Sequence, residues 1–293
     1  MSDQRIALVT VLFNCERYLQ VFFESLRSQT DRGFVVLIVD NASKDASLER
    51  ARSLARDTGV SCEFIANAGN LGIAVANNQG VGRALELGIE HIVLMNNDTG
   101  FDPSLIADIR ERAVGEGHKA WTCLAYHGDT DVRWYGGGYL SYWLARGIHF
   151  DQSRSRAIQR PTPVSYAPTC LMYLHASVFG KVGMMDPQYF VYYDDTDFCK
   201  RMQLQGIRLV YDPTVTFRHY VGGSSGGDLS EFFVRISTRN KFIYIRKHYR
   251  YPLRIVVAGL ALISKLVQLV SARRRRPTLL GLRDALTNMS GRP

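Results

Sequence analysis

Four short runs of mostly apolar residues, each closing on polar residues and followed by a helical pattern, constrain this chain more than any other feature. They are Ile6 to Phe13, Phe34 to Val39, Cys62 to Ile65 and His91 to Met95. Near-continuous apolar strands are those buried on both faces, the hallmark of a parallel sheet covered by helices. Between the runs, Leu19, Phe22, Phe23 and Leu26, then Leu48, Ala51, Leu54 and Ala55, then Val75, Val81, Ala84 and Leu85 recur at helical spacing. Repeated strand and helix predict an α/β fold with a mixed, mainly parallel, Rossmann-like sheet flanked by helices. Asn14 is expected to cap the first helix. Ligands of open α/β sheets bind beyond the carboxyl ends of the strands, so Asn14, Asp40, the loop Gly69 to Gly72 and Asp98 should converge on one crevice.

The remainder is less regular. A helix is expected over Pro103 to Val114, a loop-dominated insertion over Trp121 to Gln159, and a strand over Ala167 to Leu174. A short helix over Ala176 to Val182 and a helix from Asp194 to Gln205 closed by Gly206 follow, then strand-like pieces at Arg208 to Tyr211 and Val215 to Phe217. Pro252 to Ala272 is apolar except for Arg254, Ser264, Lys265, Gln268 and Ser271, and runs into Arg273-Arg274-Arg275-Arg276. It has the length to span a bilayer but carries two cations, so a C-terminal amphipathic helix lying on an anionic membrane surface is expected. A helix packed on the domain with a solvated basic tip is the competing reading.

The chain has 36 Lys and Arg against 27 Asp and Glu, a net charge of +9 that favours anionic partners. Nucleic acid is disfavoured among them, because much of the positive charge sits beside an apolar helix. Five cysteines without paired metal spacing indicate reduced thiols in a cytosolic compartment. The opening residues lack a basic n-region and h-region, so export is not expected.

Several residues carry possible chemistry. Asp98, at a strand end beside Asn96 and Asn97, can face a divalent metal that bridges phosphates, although Asn-Asn-Asp-Thr is also good turn chemistry. Asp40 can accept from a pyrimidine imide or a ribose hydroxyl, or serve as a helix cap. The loop Gly69-Asn70-Leu71-Gly72 matches neither GxGxxG nor a P-loop. Asp194, Asp195 and Asp197 open a helix, where the dipole favours each carboxylate by about 0.3 to 1 kcal/mol. Three so close repel one another and raise their pKa values, which suits a general base. His219, before Gly222-Gly223-Ser224-Ser225, is either structural or phosphate-facing. Trp134, Tyr135, Tyr139, Tyr142 and Trp143 offer rings that stack on sugars or cap a small core.

The order of these motifs resembles glycosyltransferase family 2, inverting nucleotide-sugar enzymes with a GT-A fold, and most nearly its rhamnosyltransferase-like branch. The matching text is Val9 to Asn14, Val39 to Asp45, Asn70-Leu71-Gly72 with Asn78-Gln79-Gly80, Leu94 to Thr99, Tyr192 to Asp197, and His219 through Ser225. The likeness covers about residues 5 to 248. It implies a catalytic domain over 1–248, with a nucleotide-binding half (1–100) and an acceptor half (101–248), and a basic membrane-associating tail over 249–293.

Carried over by position, the resemblance implies a donor site of Thr10, Phe13, Asn14, Asp40, Asn41, Asn70, Gly72, Asn78 and Asn97, with Asp40 on the base. It implies Mn²⁺ or Mg²⁺ held by Asp98 and His219, Asp195 as catalytic base with Asp194 beside it, and acceptor contacts from Trp134, Tyr135 and Tyr193. Asn96 stands where the family often has Asp, Asp194 stands where it has Glu, and the Gln-x-x-Arg-Trp element of processive synthases is absent. The activity implied is addition of one sugar from a nucleotide-diphosphate donor, with dTDP-L-rhamnose the leading candidate. The acceptor is a glycan or polyprenyl-linked hydroxyl in cell-envelope polysaccharide synthesis, at the cytoplasmic face of the membrane. A sugar-phosphate nucleotidylyltransferase and a non-catalytic carbohydrate-binding protein on the membrane are the alternatives. The first lacks its glycine-rich basic signature here, and the second has no need of Asp98, Asp195 and His219 together.

Overall fold

A computed structural model describes residues 3–220 and 230–287. The expected Gly222 to Ser225 loop lies outside them. In the first half β1 (Asp3–Leu12), α1 (Glu16–Arg27), β2 (Phe34–Asp40), α2 (Ser47–Thr58), β3 (Cys62–Ala66), α3 (Ile73–Glu86) and β4 (Ile89–Met95) alternate as the patterning requires. The strands lie in the order β3-β2-β1-β4, all parallel, with Val9 opposite Leu37 on one side and Leu94 on the other. β2 is buried at every position. Each fully buried Leu, Ile or Phe side chain in such a core stabilises it by about 1.5–3 kcal/mol. Two glycines let α3 sit close to its neighbours. A Cβ on Gly80 would stand 2.3 Å from Val9 Cγ1, and one on Gly72 (φ +87°) would stand 2.4 Å from the Phe190 carbonyl oxygen.

The second half departs from the sequence reading. β5 (Thr99–Phe101) leads to α4 (Leu105–Asp108) and a π-helical stretch, Ile109–Gly115, where one helix was expected. The Trp121 to Gln159 segment is not mainly loop. It supplies β6 (Ala120–His127), a buried central strand, then β7 (Arg133–Tyr135), the hairpin β8 (Gly138–Ser141) and β9 (Arg146–His149), and α5 (Gln152–Ala157). Apart from the short β7 that folds back on it, the partners of β6, β11 and β12, lie far away in sequence. β10 (Thr162–Val164), β11 (Leu171–His175, shorter than expected), α6 (Ala176–Val182), α7 (Asp194–Leu204) and β12 (Leu209–His219) follow. β12 is one strand through both expected pieces, irregular between Asp212 and Thr216. β11 inserts antiparallel between β4 and β6, which makes the sheet mixed. Two smaller expectations also fail. Cys15, not Asn14, stands before α1, and the Asn14 side chain instead accepts from the Lys44 amide at 2.8 Å. In α3 the buried face is Ala74, Ala76, Asn77, Gly80, Val81 and Ala84, so Val75 and Leu85 lie off it.

The chain ends in α8 (Glu231–His248), α9 (Leu253–Gln268) and α10 (Ala272–Leu286). The apolar tail breaks at Ser271, and the arginine run begins a helix that folds back on α8, with Arg235 paired to buried Asp284 at 2.6 Å. Val257, Ala261 and Lys265 form the buried stripe of α9, while Ile255, Leu260, Ile263, Val267 and others on its far side are exposed. No helix among the described residues is long and apolar enough to cross a membrane. All five cysteines are free thiols.

Asp197 ties α7 to α8. Its wholly buried carboxylate receives Arg201 at 2.8 Å, Lys247 at 2.7 Å and His248 at 2.7 Å. Burial alone would push this carboxyl up, but the His248 hydrogen bond and the charges of Arg201 and Lys247 outweigh it and hold it at about 2. Breaking a buried ion cluster from one side strands the remaining charges, so Asp197→Asn should cost about 3–5 kcal/mol in urea unfolding. Because the folded pKa lies below the ordinary 3.8, this contribution is complete above that value and fades as pH falls toward 2. An acid-unfolding midpoint that does not move in the variant would show that the cluster is not what joins these helices.

Candidate active site

Pairing of β5 with β12 builds one end of the site. Thr99 stands opposite His219, and the Tyr220 amide donates to the Asp98 carbonyl at 2.8 Å. The ladder brings Asp98 Oδ1 to 3.0 Å from His219 Nε2 and Asn96 Nδ2 to 3.4 Å from the same nitrogen. His219 is buried, its Nδ1 has no hydrogen-bond partner, and its ring packs edge to face on Trp134 at 4.3 Å. Among the described residues no three His, Cys, Asp or Glu side chains gather as a complete metal cage. Asp98 and His219 are therefore an open pair, one oxygen and one nitrogen donor.

At the neighbouring strand ends, buried Asp40 accepts from the Ser43 amide through Oδ2, while Oδ1 is buried without a partner. A buried acceptor left unsatisfied is costly and marks a place for a donor from outside the chain. Thr10 Oγ1, also buried, is in the same state. Other residues expected at the donor spend their side chains on the backbone. Asn41 donates to Asn70 Oδ1 at 2.9 Å and accepts from the Leu71 amide at 3.0 Å, which fixes the glycine-containing loop. Asn70 Oδ1 also receives the Gly72 amide. Asn78 clamps both polar groups of Met185 backbone, at 2.8 and 2.9 Å, and Asn97 donates to the Val11 carbonyl. Phe13 is half-buried and Asn14 exposed beside them.

The other end is set by a backbone turn. Tyr192 and Tyr193 are consecutive non-glycine residues with φ of 64° and 67°, a left-handed conformation that persists only when its surroundings enforce it. The Asn240 amide of α8 enforces it by donating to the carbonyls of Val191 and Tyr192 at 2.9 and 2.7 Å. The turn starts α7 so that Asp195 meets a cavity of about 550 Å³, where it is the one carboxylate among the lining residues. Tyr166 donates to its Oδ2 at 2.8 Å and the Thr196 hydroxyl to its Oδ1 at 3.1 Å.

Burial drives the Asp195 carboxyl above the ordinary carboxylate range, against the Tyr166 and Thr196 hydrogen bonds and the nearby His149. Asp194, buried behind it, is also pushed up, by desolvation and by the Asp195 charge. Two neighbouring carboxyls with raised affinity for protons suit proton acceptance at the cavity wall.

Rings span the two ends. Trp134 contacts both His219 and His149, and His149 contacts Tyr166, the donor to Asp195. Burial holds the His149 ring below its usual pKa, so it is neutral at pH 7. Trp134 thus lies between the two ends, and Tyr193 lines the cavity. Tyr135 does not reach it. Its ring is buried under this layer and its hydroxyl donates to the Tyr166 carbonyl. Tyr166, His149 and Asn240 were not singled out from sequence, since nothing in their local pattern sets them apart.

Residues 7–180 match the family model described as Glycosyl transferase family 2. The N-acetylglucosaminyl-diphospho-decaprenol L-rhamnosyltransferase of Mycobacterium tuberculosis is 26% identical over 302 residues, covering 92% of this chain and 95% of that protein. The dTDP-rhamnosyl transferase RfbF of Shigella flexneri is 25% identical, covering 85% of this chain and 78% of that protein. In fold, the chain is similar to the mannosyltransferase PcManGT of Pyrobaculum calidifontis, solved with GDP-Man and Mn²⁺, at a TM-score of 0.59 and 13% identity over 96% of this chain and 87% of that one. With the family model spanning more than half of the chain, the protein belongs to glycosyl transferase family 2 and is a glycosyltransferase.

Proposed function

We propose that this glycosyltransferase moves one sugar, with inversion, from a nucleotide-diphosphate donor to a hydroxyl of a lipid-linked glycan in cell-envelope polysaccharide synthesis. The observation that carries the reading is Asp195, a buried carboxylate with raised proton affinity on the wall of a cavity, across a layer of rings from Asp98 and His219. dTDP-L-rhamnose is the donor we favour, supported by the two rhamnosyltransferase relatives. Asp40 Oδ1 would accept the imide N–H of its base.

Asp195 takes the proton of the acceptor hydroxyl as that oxygen attacks the anomeric carbon from the face opposite the nucleotide. Tyr166 and Thr196 hold the carboxylate in place, and the rings of Trp134 and Tyr193 offer stacking surfaces for sugars. The open pair of Asp98 and His219 fits a divalent cation whose remaining positions are filled by phosphate oxygens, Mn²⁺ or Mg²⁺ being suited to such a set. When bound, that cation supplies positive charge against the departing diphosphate.

Asp195→Asn should lower kcat by at least about a hundredfold, the scale of a lost general base, with donor affinity retained. Tyr166→Phe removes a bond that lowers the Asp195 pKa, so the acidic limb of the kcat/KM profile should shift to higher pH. Near-normal turnover of the first variant, or a shift to lower pH in the second, would count against Asp195 as base. For the cation, chelation should stop transfer and Mn²⁺ restore it, and Asp98→Ala should abolish the Mn²⁺-dependent rise in melting temperature with nucleotide diphosphate; an unchanged rise would remove Asp98 from the site.

The exposed apolar side of α9 supports a peripheral position on the cytoplasmic face of the membrane. Leu260→Ser with Ile263→Ser and Val267→Ser should release the protein from anionic vesicles in a sedimentation assay. Undiminished pelleting would refute this placement of the helix.

A further inference from the structure

The cavity that holds Asp195 has an opposite wall of a different character. Arg146 from β9, Lys241 from α8, Lys265 from α9 and Arg274 from α10 all line it. Among the described residues none of the four has a carboxylate within ion-pair distance. Lys241 donates only to the Leu144 carbonyl at 3.1 Å and Lys265 only to the Gln268 side chain at 3.3 Å, both neutral acceptors. Lys265 stands two helical turns from Val257 and one from Ala261, on the buried stripe of α9, and is 7% exposed. α9 is thus inverted, with its lysine aimed into the cavity and its apolar side outward.

Four unpaired cations around one cavity cost stability in the absence of an anion, because like charges repel and burial withdraws water from them. Both lysines show it. Desolvation, then the neighbouring cations, lowers each to about 8. Packing gives no reason to collect these charges from four separate elements. A bound anion does, and its charge should be at least that of a diphosphate to offset four cations facing one carboxylate. The diphosphate of the nucleotide donor is assigned to the Asp98 and His219 end, on the far side of the ring layer. Apolar side chains border the cavity as well, Leu144, which is 50% exposed, and Phe233 among them, and further apolar surface is exposed at Trp143, the chain neighbour of Leu144, and on the outer side of α9. An anionic group within and an apolar chain at the rim describe an amphiphile.

We propose that Arg146, Lys241, Lys265 and Arg274 form a subsite for the diphosphate of an isoprenoid-linked acceptor, placing the sugar beyond it at Asp195 while the isoprenoid leaves over Leu144 and α9. This rests on the glycosyltransferase reading and names the acceptor class that the site takes. The arginines grip phosphate oxygens with planar forks and the lysines act as point charges.

Farnesyl diphosphate is the probe, titrated calorimetrically into the full chain with EDTA and without nucleotide. Wild-type protein should bind it, inorganic diphosphate about tenfold more weakly for want of the apolar contact, and farnesol not measurably. Lys241→Gln combined with Lys265→Gln should weaken farnesyl diphosphate by at least about tenfold, the loss of two charge-assisted contacts. The same substitutions should raise the melting temperature of the free protein, since they relieve repulsion. Affinity for farnesyl diphosphate that is unchanged in the double variant would overturn the subsite. So would inorganic diphosphate binding as tightly as the lipid, or a melting temperature that falls along with affinity, as for a purely structural cluster. The titration contains no donor and reads no turnover. Failure of sugar transfer with this binding intact would therefore strike the proposed activity and leave the subsite standing.

Discussion

The structure depends on a short stretch of backbone held against its own preference. Two successive tyrosines in the left-handed region are tolerable because Asn240, buried in α8 with its Oδ1 accepting from Arg239 Nε, gives its side-chain amide to the carbonyls of Val191 and Tyr192. Arg239 adds a bond to the Gln188 carbonyl from the same helix. Released from α8, the turn would relax, and α7 would begin at another angle. Asp195 would then leave the cavity and Asp197 its two partners on α8, Lys247 and His248. One hydrogen-bonded amide therefore fixes both a carboxylate on the cavity wall and a structural one, two residues apart.

The neighbouring aspartates show how environment divides identical side chains. Asp197 is surrounded by Arg201, Lys247 and His248 and is held ionised, while Asp194 and Asp195 have no cation within ion-pair distance among the described residues and are pushed by burial toward the protonated form. Their spacing on the helix decides this, because the third aspartate is turned toward α8. A cluster that reads in sequence as three similar acids is one carboxyl on a cavity wall, one buried neighbour and one tie between helices.

The first half of the fold was legible because its signals are local: buried strands, helical spacing, and polar residues at strand ends. In the second half α6, α7 and the pieces of β12 were legible too, but the strands of the Trp121 to Gln159 segment were not, and the main partners of β6 lie far off in sequence. β6 looks like part of a loop-rich region until β11 and β12 stand on either side of it. The meeting of Asp98 with His219 was expected from the family resemblance, and the β5 and β12 ladder is its physical cause. Several residues expected at the donor instead build the frame: Asn41, Asn78 and Asn97 hold backbone rather than facing open space. The cations of the cavity wall could not be gathered from sequence, since they come from four elements, and Lys265 read only as a flaw in an apolar helix.

The contact between Gly72 and Phe190 joins the two halves more tightly than a shared crevice would. With no side chain at Gly72, the loop that leads into α3 lies against the Phe190 carbonyl, which also accepts the Ile73 amide at 2.7 Å. The first turn of α3 is thus capped by the segment that leads into Asp195. On the proposed function, a nucleotide that tightened this loop would tighten the support of Asp195, and an acceptor that settled Asp195 would steady the loop in return. Such coupling would be reciprocal, each substrate favouring the other's binding by the same factor. The free enzyme would be the loosest of its states, and the complex most apt to react would also be the most rigid.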